Sequence, residues 1–234
     1  MYTSYMTTLS NEQIRQLNNY SVYVKPIGTP LFSAKNVDSS LSLIKLISEA
    51  PNDPIAASFF MRRVGMFISM QFYMMTMYDE IWDGPLEELK YFSTTEYGNK
   101  TISTYIQEEY FRDVRENRAE DVQLIWEHQC YSIIQQLRGQ CNVSPLTLWE
   151  NVFGYLLWHY HVFFENSTIA DQAKQDWELM QDETIWTTFT SKSHLAKYLK
   201  GKSPSELINT PVRTTCCFSK DIPGLQKCGF CPLN

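Results

Sequence analysis

Apolar residues recur at helical spacing over three long stretches of the chain, 54–82, 118–137 and 145–164, and these predict the bulk of a helical body. Ser10-Asn11-Glu12-Gln13 has the form of a capping box and opens a short helix to about Asn19. Ser21 to Val24 reads as a strand stopped by Pro26. A second helix is expected from about Ser39 to Glu49, where Pro51 ends it. Asn52-Asp53-Pro54, a cap residue followed by an early proline, starts a long helix expected to reach Trp82. Between Leu86 and Ile106 the pattern changes to two β-rich runs around Tyr97-Gly98-Asn99-Lys100, a hairpin signature. Asn117 and Ser144-Pro145 open the next two helices, and a shorter amphipathic one is expected at 172–181. Ser203-Pro204-Ser205-Glu206 is another capping box, and the chain from Val212 onward has no periodicity. The pattern predicts an α+β, predominantly helical fold: a helical body over 1–210 with a small antiparallel β element, and a C-terminal segment over 211–234.

Within the 54–82 helix, Met66, Met70, Met74 and Met77 step by four, four and three and form one stripe, with Arg63 beginning the same row. Core packing is the plainer role for such a stripe, a soft pocket wall the sharper one. The 145–164 helix is apolar nearly all round and belongs at the centre. Arg62 and Arg63 on the first helix, with His159 and His161 on the second, are the candidate polar contacts for a ligand held between the two. Tyr155, Trp158 and Tyr160 are candidates to line the same pocket.

Composition narrows the picture. A net charge of -6 with 44% hydrophobic and 20% charged residues fits a soluble globular protein. The start, Met1 to Met6, has neither a basic nor an apolar leader region, and no apolar run is long enough to span a bilayer. A cytoplasmic protein is expected, with peripheral association at a membrane surface left open. The charge is uneven: from residue 191 onward seven basic residues stand against Glu206 and Asp221. An acidic body argues against nucleic acid as a partner. Nine glycines and no Gly-x-Gly-x-x-Gly or phosphate loop leave the chain without a dinucleotide site of its own.

The six cysteines divide into two groups. Cys130 and Cys141 stand alone on or beside helices and read as small buried hydrophobes. Cys216-Cys217 and Cys228-Gly229-Phe230-Cys231 place four thiols within sixteen residues. In a reducing compartment such a cluster points to metal or redox chemistry rather than disulfides. Adjacent cysteines on extended backbone point to opposite sides, which argues against a zinc knuckle, where two or more residues separate paired ligands. A two-iron cluster is a larger target, and four cysteines are its usual ligand count.

Val212-Arg213-Thr214-Thr215-Cys216-Cys217, followed by Cys228-Gly229-Phe230-Cys231-Pro232-Leu233, resembles the C-terminal signature of the FhuF-type ferric-siderophore reductases, Cys-Cys-x10-Cys-x2-Cys. The match is close over about the last 25 residues; elsewhere the likeness is general, a helical body with a β insertion and a long helix carrying an arginine pair. The resemblance implies a cytoplasmic enzyme in which Cys216, Cys217, Cys228 and Cys231 hold a [2Fe–2S] cluster that reduces iron in hydroxamate-type siderophores. It also implies an external electron donor, such as a ferredoxin or flavodoxin, for which the basic tail offers a complementary surface. Two rival readings remain at this point: a non-enzymatic siderophore-binding protein whose four cysteines hold a structural zinc ion, and an iron–sulfur redox sensor.

Overall fold

The computed structural model describes residues 9–233; the Met1 to Met6 segment read above lies outside them. Among the described residues, ten helices and six strands follow in order: α1 (Asn11–Asn19), β1 (Val22–Tyr23), β2 (Phe32–Ser33), α2 (Val37–Ser48), α3 (Asp53–Tyr78), β3 (Glu80–Trp82), β4 (Lys90–Glu96), β5 (Asn99–Tyr105), β6 (Phe111–Asp113), α4 (Arg118–Gln123), α5 (Ser132–Gln140), α6 (Pro145–Glu165), α7 (Ala170–Gln181), α8 (Glu183–Trp186), α9 (His194–Leu199) and α10 (Pro204–Leu207). The fold is α+β and predominantly helical, as the periodicity predicts.

Helices α3 and α6 pack against each other at the centre. Gly65 on α3 permits the close crossing: a Cβ there would stand 2.9 Å from the Asn151 carbonyl oxygen. Met70 and Met74 of the methionine stripe are fully buried, so packing is their role, whereas Met66 borders a cavity. The capping boxes at Ser10 and Ser203 both form, and Asn52 caps α3 through Ile55 N–H. Asn117 and Ser144 open their helices without a side-chain cap bond. Between α4 and α5 the chain stays helical but widens to π geometry over Leu124–Tyr131.

The long helix stops four residues short of the expected Trp82. Asp79 adopts a left-handed conformation as its C-cap. Beyond it, Glu80–Trp82 pairs antiparallel with β6. The buried Gln71 captures Trp82, accepting its N–H at 2.9 Å and donating to its carbonyl at 2.6 Å. A buried amide holding both backbone groups replaces the helical bonds that Trp82 gives up.

The hairpin forms where expected, β4 with β5 from Lys90↔Tyr105 to Glu96↔Asn99, turning at Tyr97-Gly98 with both residues at positive φ. It belongs to a larger sheet than the sequence pattern implies. The order is β1-β5-β4-β2, with β1 parallel to β5 and β2 antiparallel to β4. β1 lies within the strand expected at Ser21–Val24, but its pairing with β5 and the two-residue β2 are not written in the local pattern. The C-terminal segment is irregular apart from one 3₁₀ turn at Ser219–Asp221. It packs on the body nonetheless, with Val212, Ile222 and Phe230 buried in the same core.

Candidate metal centre and the adjoining cavities

A buried polar clamp fixes where the cysteine segment begins. Glu150, on α6 and 1% exposed, accepts hydrogen bonds from Thr214 N–H (2.9 Å) and Oγ1–H (2.7 Å), and from Thr215 N–H (2.9 Å) and Oγ1–H (2.5 Å). Arg213, also buried, donates to the carbonyls of Glu150 (2.8 Å) and Thr215 (3.1 Å), and its Nε stands 3.9 Å from the Glu150 carboxylate. Further along the segment, Ser58 of α3 donates to the Cys217 carbonyl at 2.8 Å, and Asn151 in turn donates to Ser58. Both central helices therefore grip the backbone around the first cysteine pair.

The local bend that adjacent ligands require follows directly. Phe218 sits at φ 59 in the left-handed region, a conformation that costs a non-glycine residue about 1–2 kcal/mol and needs surrounding structure to hold it. The second cysteine pair is closed by a turn in which Cys231 N–H donates to the Cys228 carbonyl at 3.1 Å. Phe230 anchors that turn by packing over Gly154, where a Cβ would approach its ring to 3.2 Å.

Cys216 Sγ accepts a hydrogen bond from Phe218 N–H at 3.3 Å, and the backbone N–H groups of Ser219 and Phe230 favour the thiolate forms of Cys217 and Cys228. The Ser219 hydroxyl adds a contact to Cys217 Sγ at 3.2 Å. Cys217 and Cys228 face one another: a hydrogen bond from Cys228 holds Cys217 well below the usual thiol range despite burial, helped by Ser219 and the Arg213 charge. The same bond, with burial and the Cys217 charge, pushes Cys228 up. Cys216 and Cys231 share a different neighbour, Lys220, whose ammonium is raised first by Asp221 and then by the fields of these two sulfurs. Among the described residues no group of three or more His, Cys, Asp or Glu side chains gathers tightly enough for a single metal ion.

Four cysteines are the usual ligand count of a [2Fe–2S] cluster, and a backbone N–H on sulfur with cations nearby would offset its negative charge. Cys130, by contrast, is fully buried, its thiol pushed up by burial alone, and Cys141 bonds its own helix at the Leu137 carbonyl (3.5 Å).

Two cavities adjoin the segment. The smaller, about 180 Å³, is lined by Cys217, Cys228, Phe230, Asn151, Trp158 and Arg62, among others. The larger, about 680 Å³, lies between α3, the hairpin tip at Glu96–Thr101 and the Ile222–Gln226 stretch of the cysteine loop. Arg62 and Tyr155 border both.

The arginine pair divides in role. Arg63 is committed to the hairpin, donating from Nε to the Ile102 carbonyl (2.6 Å) and from Nη2 to Glu96 (2.9 Å). Arg62 has no carboxylate partner among the described residues; it rests over the Phe59 ring at 5.9 Å, and its Nε is shielded from solvent without a hydrogen bond. The two histidines border neither cavity. His159 Nδ1 bonds the Tyr20 hydroxyl at 2.9 Å within an aromatic cluster, and burial pulls its pKa down to about 4. His161 Nδ1 bonds Ser205 Oγ at 2.8 Å, joining α6 to α10. The α6 residues that line the smaller cavity are Glu150, Asn151, Gly154, Tyr155 and Trp158. Tyr160 is buried against Thr76 (3.1 Å). Ser58, Glu150 and Asn151 do not stand out in the sequence; their one signal is that they are polar residues in otherwise apolar central helices. No known protein family and no curated protein matches the chain, so the likeness to the FhuF-type reductases rests on the cysteine motif and its flanks.

Proposed function

We propose that the protein is a ferric-siderophore reductase of the cytoplasm, transferring one electron to Fe(III) in a hydroxamate-type siderophore and so releasing Fe(II). Cys216, Cys217, Cys228 and Cys231 hold the [2Fe–2S] cluster. When bound, such a cluster supplies electrons one at a time at a potential tuned by its surroundings. The observation that carries the reading is adjacency: the loop between the two cysteine pairs, Ile222–Gln226, forms one wall of a cavity in the size range of small-ligand sites, and Cys217 and Cys228 line a smaller cavity beside it.

The chain's own residues supply position and charge. Glu150 and Ser58 fix the loop to the two central helices, Arg213 and Lys220 offset thiolate charge, and the hairpin tip closes the far side of the cavity. Ferric iron is held by hard hydroxamate oxygens far better than ferrous iron, so a single electron loosens the substrate. The partly exposed Cys216 and Cys228, with Lys220 and Lys227 exposed nearby, leave an approach for an acidic external donor, a ferredoxin or flavodoxin. Among the described residues no helix is long and apolar enough to cross a membrane.

The test is anaerobic purification, iron and zinc counting, and stopped-flow mixing of dithionite-reduced protein with a ferric hydroxamate while released Fe(II) is trapped. A reddish-brown protein that bleaches on reduction and is reoxidised by the substrate is the expected result. A colourless zinc protein would favour the structural zinc reading, and a coloured protein inert to every ferric siderophore would favour a sensor.

A further inference from the structure

We infer that the site selects ferric complexes that carry a free carboxylate, and that Arg62 is the residue that reads it; this rests on the siderophore reading above. The charges lining the larger cavity account for themselves with one exception. Arg63 is neutralised by Glu96 at 2.9 Å, and Lys100 and Glu49 are exposed to solvent at the rim. Among the described residues, Arg62 lines both cavities without a hydrogen bond or a counter-charge; its Nε is buried, and its two terminal nitrogens are the ones left to meet a ligand. An anionic group in the larger cavity would pair that charge through charge-assisted hydrogen bonds.

The smaller cavity bounds the arrangement. At about 180 Å³, and lined by Cys217, Cys228, Glu150 and Arg213 as well as Arg62, it is too small for a siderophore and belongs to the cysteine site. The complex therefore occupies the larger cavity, and its carboxylate meets Arg62 at the junction. Recognition by pairing buried polar groups discriminates strongly against a ligand that lacks the partner.

Gallium(III) complexes test this apart from reduction, because gallium does not accept the electron. Calorimetry on the cluster-loaded protein compares the gallium complex of a neutral trihydroxamate with that of a hydroxamate siderophore bearing a free carboxylate. The carboxylated complex should bind roughly 10- to 100-fold tighter, the range one charge-assisted hydrogen bond gives. Arg62→Gln should erase that preference while moving the affinity for the neutral complex by less than about threefold, and Arg62→Lys should keep part of it. The visible spectrum and midpoint potential of Arg62→Gln should match the unsubstituted protein. Equal affinity of that protein for both complexes overturns the inference, as does equal weakening of both by Arg62→Gln. A shift in potential with the preference intact overturns it too, since it assigns Arg62 to the cluster. Binding of neither complex sinks the siderophore reading itself.

Discussion

Replacing Glu150 with glutamine should release the cysteine segment while leaving the helical body folded. The side chain is 1% exposed and its two oxygens accept four hydrogen bonds from Thr214 and Thr215. Glutamine is nearly the same shape, but one oxygen becomes an NH₂ group, which sets a donor against a backbone N–H and a hydroxyl that both need an acceptor. An unsatisfied buried donor costs about 1–3 kcal/mol. Arg213 also loses its counter-charge at 3.9 Å, though it keeps two carbonyls within about 3 Å, so that loss falls below the ~3–5 kcal/mol of a fully broken buried pair. About 3 kcal/mol in total, confined to the tail's docking, corresponds to roughly 100-fold faster amide exchange. Exchange measured by mass spectrometry should show this in peptides spanning 212–233 and leave 145–165 protected. Tail protection unchanged within about threefold would refute the clamp; equal loss across the whole chain would refute its local character.

Three further outcomes are expected. Cys216→Ser, Cys217→Ser, Cys228→Ser and Cys231→Ser should each lose iron and the visible bands, because a serine oxygen is a poorer ligand for the cluster, with far-UV circular dichroism unchanged; a variant that keeps full iron and transfers at the original rate would strike that cysteine from the ligand set. Gly65→Ala should destabilise the protein by about 1–3 kcal/mol in urea titration, because the added Cβ meets backbone of α6 at 2.9–3.0 Å rather than a side chain that can turn away. Burial places the folded-state pKa of His159 at about 4 against 6.5 for the free side chain, so between those values the unfolded chain binds the extra proton, and the stability present above pH 6.5 drains as pH falls. The loss approaches about 2–3 kcal/mol by pH 4.5. His159→Gln should flatten that part of the pH–stability curve, and identical curves for the two proteins would contradict the assignment.

Local chemistry made much of this molecule legible without coordinates. The capping box at Ser10, the Asn52-Asp53-Pro54 start and the Tyr97-Gly98 turn each act over a few residues and stand where the sequence placed them, and the long apolar periods mark the central helices, although α3 ends at Tyr78. The cysteine spacing likewise marked out a candidate ligand set, because ligand count and separation are written in the chain. What tertiary structure decided was every feature that depends on a distant partner. Trp82 leaves the helical pattern because Gln71 and β6 hold its backbone. Arg62 and Arg63 are neighbours in sequence, yet only the position of Glu96 and Ile102 commits one and leaves the other at the junction of two cavities. His159 and His161 were drawn away by Tyr20 and Ser205, contacts that span 139 and 44 residues. Glu150 and Ser58 acquire their roles from a tail 64 and 159 residues further on. Periodicity reports which face of an element is buried, and it carries no information about which polar group will find its partner across the fold.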